Sequence, residues 1–555
     1  MELKGDGKEE IEDVGMKDAG IEDAGMKDPG MKDFEEVRIV VENPEADATE
    51  ADVSEVDLDQ EEQEKQPMTG GGSSGVSGKE AQVEKNGAVN LKILEEEEVK
   101  FTGLTKEELL RVAGSRGWVQ IRWTLLVLFW LGWLGMLVGA VLIILHAPRC
   151  RDLPKPDWWN DGLLYQVGKV QVFSNNLKGL EQKLDSLHHL KVKGLVIGPI
   201  HVAPPDDAMK LSFEEISSEV GTLDQFRGVV QAAHKKDINV VLDLTPNYLS
   251  PSGPWFSNNT VRSIAEKLKS ALMFWLKEGV DGIQLSGVQE VASVVPSLWL
   301  DIQSIIQKST KEYPKKRVLI GVTETSSAEE VSSLLASTGV DLLISRVLRL
   351  NDTDAAERAR SIQHLYSNHN QTQLAWSLGG PADGHLASVV GPALVTLHQL
   401  LLFTLPGTPI INYGDEIGLT DKGNTFPMML WDSDKELNGT LQEERCLTCR
   451  SFLHMLTELR GKERSLLFGD FELLFNSTSS LAYLRVWDQS ERFLAVFNWA
   501  TEAVTLELGH EALPRQAVVV VNTNSSSLAA DTQVDLRTLK IGPEQAVLLK
   551  FPYVG

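Results

Sequence analysis

Three cysteines, Cys150, Cys446 and Cys449, are the side chains of this sequence best equipped to form covalent links. Cys150 stands between Arg149 and Arg151, and flanking cations favour the thiolate, the form that attacks another sulfur. An odd number of cysteines leaves at least one without a partner inside the chain, and Cys150, by its flanking charges and its position, is the candidate for a disulfide to a second chain. Cys446 and Cys449 are spaced i, i+3 in a helical pattern that includes Leu441, Phe452, Leu453 and Leu456, so they share a face. They either bridge each other or pack as small hydrophobes. A structural zinc site needs more ligands than the nearby sequence offers, and no metal or cofactor is expected. Six Asn-x-Ser/Thr sequons, at Asn258, Asn351, Asn370, Asn438, Asn476 and Asn524, are acceptors for N-linked glycan.

The element that must position Cys150 is a membrane span. Trp123 to Leu145 is free of charged residues, and as a helix it is about 34 Å long, enough for a hydrocarbon core of roughly 30 Å. Its distance from the N-terminus and the lack of a short apolar region with a small-residue cleavage site argue against a cleaved signal peptide. Lys100, Lys106, Arg111, Arg116 and Arg122 precede it, and Arg149, Arg151 and Lys155 follow it, a bias toward an intracellular N-terminus. All six sequons lie after the span and none before it. The chain therefore reads as a single-pass type II glycoprotein of the plasma membrane. Cys150, five residues past Leu145, falls in a short extracellular neck (146–156) within reach of another chain. Inside the span, Gly132, Gly135 and Gly139 form a stripe at i, i+3 and i+7 along which a second membrane helix can approach closely.

The cytoplasmic side has a different composition. The whole chain of 555 residues carries a formal charge of −26. Met1 to Arg122 hold 32 acidic and 15 basic residues, a net of −17, which leaves −9 for the other 433. Residues 1–100 contain a single aromatic, Phe34, a Gly-Met-Lys-Asp unit at Gly15, Gly25 and Gly30, and the linker-like run Gly70 to Gly75. Such a segment cannot bury enough apolar surface to offset chain entropy and is expected to be disordered. Its negative charge argues against nucleic acid as a partner. Residues 101–122 form a juxtamembrane segment.

Beyond residue 157 short apolar runs alternate with amphipathic stretches. The runs are Leu163 to Val172, Leu195 to Ile200, Ile238 to Leu244, Gly282 to Leu285, Val318 to Val322, Leu342 to Ile344, Leu374 to Trp376 and Pro409 to Asn412. Helical patterns such as Leu223 to Lys235 and Val261 to Lys277 lie between them. Eight such units predict a (β/α)8 barrel of the TIM type over 157–462. Strand-like runs then follow at Leu481 to Trp487, Phe493 to Phe497, Ala517 to Asn522 and Gln545 to Phe551, which predicts an antiparallel β-sandwich over 463–555. The fold class is α/β, with a single transmembrane helix (123–145) ahead of the barrel.

The wording of these blocks is specific. Trp158-Trp159 through Leu163-Leu164-Tyr165-Gln166, Gly221-Thr222-Leu223-Asp224-Gln225-Phe226, Val240 to Asn247, and Leu402 to Pro409 with Tyr413-Gly414-Asp415-Glu416-Ile417-Gly418 resemble, in order, blocks of the α-amylase family of glycoside hydrolases. That resemblance implies a catalytic site at the C-terminal ends of the barrel strands, where retaining hydrolysis needs two carboxyl groups about 5 Å apart. The family's fourth strand carries Gly-x-Arg-x-Asp, whose Asp is the nucleophile. The matching residues here are Gly282-Ile283-Gln284-Leu285-Ser286, so Gln284 replaces the arginine and Ser286 the nucleophile. The third block ends in Asn247-Tyr248 instead of Asn-His, and the seventh-strand Asn-His-Asp is absent near Trp376 to Gly380. Either Glu324 or Val322 matches the family's acid. Asp281 lies toward the wrong end of its strand, some 17 Å from the nucleophile position. Asp243 is then a structural carboxylate. Only Ser250 to Ser263 separate the third block from the next helix, so the domain that the hydrolases insert there is missing.

A membrane-anchored amylase-like domain without catalytic residues, with a neck cysteine, resembles the heavy-chain subunits of heteromeric amino acid transporters. Lack of the inserted domain points to the cell-surface-antigen type, and Leu190 to His201 strengthens the match. The resemblance implies a disulfide through Cys150 to a multi-span light chain that carries large neutral amino acids or exchanges cystine for glutamate. It also implies delivery of that light chain to the plasma membrane and association with integrin β subunits. The alternative reading is an adhesion or signalling receptor acting through tail and span. A surface glycoside hydrolase would need a carboxylate pair that the sequence does not supply.

Overall fold

A computed structural model describes residues 105–146, 151–312, 315–349, 354–423, 426–431, 441–524 and 528–553. Residues 1–104, with the acidic repeat and the linker-like run, lie outside this set, as do Cys150, Asn351 and Asn438. The chain divides into two units, Met1–Gly114 and Ser115–Gly555. The described part of the first is a short helix, α1 (Lys106–Ala113), entered at Thr105, whose N–H donates to Glu108 Oε2 at 3.2 Å.

The second unit begins with α2 (Arg116–His146), 31 residues, long and apolar enough to cross a membrane. It starts seven residues before the predicted span, since Arg116 to Arg122 continue the same helix. None of its side chains is buried, and nothing approaches within 4 Å of the Cβ positions of Gly132, Gly135 or Gly139.

Eight parallel strands close into a barrel: β1 (Leu163–Val167), β2 (Val192–Ile197), β3 (Asn239–Asp243), β4 (Gly282–Ser286), β5 (Val318–Val322), β6 (Leu342–Ile344), β7 (Leu374–Trp376) and β8 (Thr408–Asn412). Each pairs with the next, and β8 pairs back to β1 with Ile411 opposite Tyr165. The alternation of strand side chains separates two cores. Leu164, Val196, Val241, Ile320, Leu342 and Ile410 point inward, while Tyr165, Leu195, Ile197, Val240 and Leu242 pack outward against the helices. A Cβ on Gly282 would stand 2.3 Å from Val318 Cγ1 and 2.8 Å from its carbonyl oxygen, so β4 can begin only with glycine at this spacing. Local capping fixes the helices: Thr222 accepts from Gln225 N and Gln225 Oε1 accepts from Thr222 N, which starts the helix Leu223–His234.

After the long helix Leu441–Lys462 the chain forms a six-stranded antiparallel sheet. It contains β9 (Asp470–Asn476), β10 (Ser480–Val486), β11 (Arg492–Asn498), β13 (Gln516–Asn522), β14 (Gln533–Asp535) and β16 (Gln545–Phe551), in the order β9-β10-β11-β16-β13-β14. The second layer of the predicted sandwich is a two-stranded sheet of β12 (Val504–Leu506) and β15 (Leu539–Ile541). Leu484, Leu494, Val547 and Leu549 meet this smaller sheet. Tyr483, Phe493, Phe497 and Leu548, on the opposite face, belong to the same core as the barrel helices.

Candidate functional site

Inward-facing positions change character at the C-terminal ends of the strands. Below lie aliphatic side chains; one step up stand Gln166 of β1, Asp243 of β3, and Gln284 and Ser286 of β4, all buried. They are joined in one chain of hydrogen bonds. Gln166 Nε2 donates to Gln284 Oε1 (3.0 Å), and Gln284 Nε2 donates to Asp243 Oδ2 (2.8 Å). Tyr248 Oη donates to the same carboxylate oxygen (2.8 Å), and Thr245 N to the other (2.8 Å). Ser286 N donates to Thr245 Oγ1 (2.9 Å), which ties β4 to the loop after β3. Burial pushes the Asp243 carboxyl from its ordinary 3.8 up to about 6, against the lowering effect of these donors.

A second cluster covers the first. Asp383, in the loop after β7, receives Arg346 at 2.5 Å and Arg349 at 2.7 Å, and Arg346 also reaches Glu324 at 3.4 Å. The space left between the two clusters, lined by Gln166, Tyr248, Gln284, Ser286, Glu324 and Asp383, has a volume of about 30 Å³. That holds a water molecule; ligand pockets begin near 300 Å³. Above it a wider cleft of about 760 Å³ opens between Lys169, Glu219, Tyr248, Arg346 and Phe426. Three carboxylates near the strand ends are thus committed: Asp243 to three donors, Asp383 to two guanidinium groups, Glu324 to one. Among the described residues no group of three or more His, Cys, Asp or Glu is placed to hold a metal ion.

Residues 90–165 match the family described as the N-terminus of solute carrier family 3 member 2, and residues 160–267 match the α-amylase catalytic domain. The amino acid transporter heavy chain SLC3A2 of Oryctolagus cuniculus is 43% identical over 528 residues, covering 90% of this chain and 98% of that protein. The chain belongs to the amino acid transporter heavy chains. The heavy chain SLC3A1 of Rattus norvegicus is a more distant relative, 24% identical over 82% of this chain and 88% of its own length. Among solved structures, the trehalulose synthase of Pseudomonas mesoacidophila (TM-score 0.57, 17% identity) and the acarbose-bound α-amylase of Geobacillus thermoleovorans (TM-score 0.56, 18% identity) share the fold. Each covers 72% of this chain and all of the compared structure.

In this heavy chain the sequence-derived positions fall as follows. Ser286 is the last residue of β4, and its Cα partner on β5 is Val322, so Val322, not Glu324, stands beside it at the strand ends. Glu324 lies two residues beyond β5 with a side chain 62% exposed. Asp281 sits just before β4, where its carboxylate accepts from Val240 N (2.8 Å) and His234 Nε2 (2.6 Å). Only residues 244–260 lie between β3 and the helix Val261–Lys277. Cys446 and Cys449 lie on the helix Leu441–Lys462, both buried in the barrel-side core. Sequence reasoning missed the Arg346–Asp383–Arg349 cluster. Its one local trace is the spacing of the two arginines after β6, because the carboxylate they share arrives from a different loop.

Asp243 gives a pH-dependent prediction. Between about pH 4 and 6 the folded chain keeps a proton there that the unfolded chain has lost, so this group's contribution to stability falls as pH rises through that window. Asp243→Asn is expected to fold and to remove that slope, a change of up to about 3 kcal/mol across the window. Chemical denaturation at pH 4.5 and 6.5 checks it; an unchanged slope in the variant contradicts the assignment.

Proposed function

We propose that this chain is the non-catalytic heavy-chain subunit of a heteromeric amino acid transporter, disulfide-linked through Cys150 to a multi-span light chain that it delivers to the plasma membrane. The observation that carries this reading is the 43% identity, over 90% of the chain, to a protein named as an amino acid transporter heavy chain. One membrane helix cannot enclose a transport path, so translocation belongs to the partner, which sets whether large neutral amino acids or cystine and glutamate are exchanged. The stripe of Gly132, Gly135 and Gly139 is the proposed line of close approach to a partner helix. Ser286 at the nucleophile position and Val322 at the acid position leave no route to glycosidic cleavage. Association of span and tail with integrin β subunits is a further part of the reading. Co-expression with a light chain tests it: surface-labelled light chain and leucine or cystine uptake should rise several-fold over light chain alone, and no rise would reject the role.

Type II orientation has its own test. Asn258, Asn370, Asn476 and Asn524 are all exposed, as attachment of a glycan requires. Partial enzymatic deglycosylation of the membrane-expressed chain is expected to give a ladder on gels. Changing any one of these asparagines to Gln should remove one rung, and an unglycosylated chain would contradict the orientation.

A further inference from the structure

Near the N-terminal ends of β1, β7 and β8, away from the end that carries Asp243, a cavity of about 290 Å³ lies between the barrel, the neck and the C-terminal sheet. Pro154 and Pro156 of the neck, with Phe468 and Trp487, give it apolar walls, and Asn160 and Gln371 give it polar ones. The Phe468 and Trp487 rings stand 5.7 Å apart. Its volume is at the lower limit of small-molecule sites, about 300 Å³, which suits a single ring.

Both carboxamides are fixed through their nitrogen atoms. Asn160 Nδ2 donates to Thr372 O (2.9 Å) and Thr408 Oγ1 (3.0 Å), and Gln371 Nε2 donates to Phe468 O (2.9 Å). Exchanging nitrogen for oxygen in either amide would set two acceptors against each other, so the network decides the assignment. Asn160 Oδ1 and Gln371 Oε1 are then buried without a hydrogen-bond partner among the described residues. Asn160 is 9% exposed. An unmet buried acceptor is costly, so two of them beside aromatic rings call for a neutral ligand rich in N–H and O–H donors.

Asn370 names the source of that ligand. It lines the same cavity, is exposed, and with Thr372 forms an Asn-x-Thr sequon. Its Oδ1 accepts from Thr372 N at 3.0 Å, which orients the side chain and leaves Nδ2, the atom that carries a glycan, available. We propose that an N-linked glycan on Asn370 seats its first N-acetylglucosamine in this cavity, its acetamido N–H and hydroxyls donating to Asn160 Oδ1 and Gln371 Oε1 and its C–H face against Phe468 and Trp487. The sugar then fills the joint between neck, barrel and C-terminal sheet. This rests on the type II, glycosylated reading given above.

The test uses the full chain, expressed in mammalian cells and purified in nanodiscs without a light chain. Mass spectrometry scores occupancy of each sequon, and the undenatured protein is then treated with peptide N-glycosidase, which must reach the first sugar to release it. Release from Asn370 is expected to be at least tenfold slower than from Asn258, Asn476 and Asn524, and equally fast after denaturation. Gln371→Leu keeps the sequon and removes one acceptor; it should speed release from Asn370 at least threefold and leave the other sites unchanged. Release from Asn370 as fast as from the others, or slow release unchanged in Gln371→Leu, would overturn the proposal. Asn370 bare while other sites carry glycan would also overturn it and leave the orientation standing, whereas a chain bare at every site would overturn the orientation as well.

Discussion

Replacing Cys150 by serine is expected to remove nearly all of the high-mass, reducible band that the proposed disulfide to a light chain predicts for the membrane-expressed chain, leaving only the monomeric species on non-reducing gels. Cys150 follows the span by five residues, and the next residue is tied to the ectodomain: Arg151 N donates to Asp488 Oδ2 and its guanidinium to Asp470 Oδ2, both at 3.1 Å, with the guanidinium 5.6 Å over the Trp487 ring. A thiol between a membrane helix and such an anchor can meet only a partner held near the membrane surface. Surface transport should fall less than the band does, because packing along the span and contacts outside the membrane can hold the pair without the covalent link. A single band unchanged in wild type and variant, reduced or not, would favour a receptor acting through tail and span.

The largest stability effect is expected at Arg485. This side chain is fully buried, and it ties the barrel to the C-terminal sheet: Nη1 donates to Thr404 O at 2.6 Å and Nη2 to Gly469 O at 2.9 Å. Arg460 lies alongside, donating to Phe403 O (2.6 Å), Leu405 O (3.2 Å) and Gly407 O. Together they cap the carboxyl end of the helix Val395–Thr404, whose last carbonyls have no partner within the helix. Burial holds both guanidinium groups below their usual range, Arg460 at about 9 and Arg485 at about 10, so both remain charged at neutral pH. Arg485→Ala leaves two buried carbonyls without donors and opens a cavity between the two layers, a loss of about 3–5 kcal/mol. Arg485→Lys has one ammonium where two arms are needed and should recover only part of it. Arg515→Ala, at a pair with Asp535 whose arginine side chain is 75% exposed, should cost less than about 1 kcal/mol. Denaturation of the purified full chain, followed by tryptophan fluorescence, ranks the three. An Arg485→Ala variant within about 1 kcal/mol of wild type would show that this guanidinium contributes little to the coupling of the two domains.

Signals confined to a few neighbouring residues are legible in the amino-acid sequence. Each of the eight apolar runs overlaps a barrel strand, and Val318–Val322, Leu342–Ile344 and Leu374–Trp376 match their elements at both ends, because a strand buried on both faces needs an unbroken apolar run. The span is legible for a similar reason, since charge must leave the hydrocarbon core. In the C-terminal domain, β9 escapes because its register shifts between Leu473 and Phe475 and spoils the alternation. The three-residue strands β12, β14 and β15 are too short to show a period.

The sequence by itself determined the membrane helix, the barrel and its order, the absence of an inserted domain, and the residue types at the ends of the strands. Tertiary structure decided what those residues do. Gln166 meets Gln284 across 118 positions of chain only because the barrel closes with β1 and β4 facing the same interior. Asp243 becomes a proton-retaining hub only because closure removes water from it, and Asp383 finds Arg346 and Arg349 from another loop. Periodicity and residue type act over a few residues and survive in one dimension. Hydrogen-bond pairing and desolvation depend on which parts of the chain closure brings together, and no local pattern encodes that.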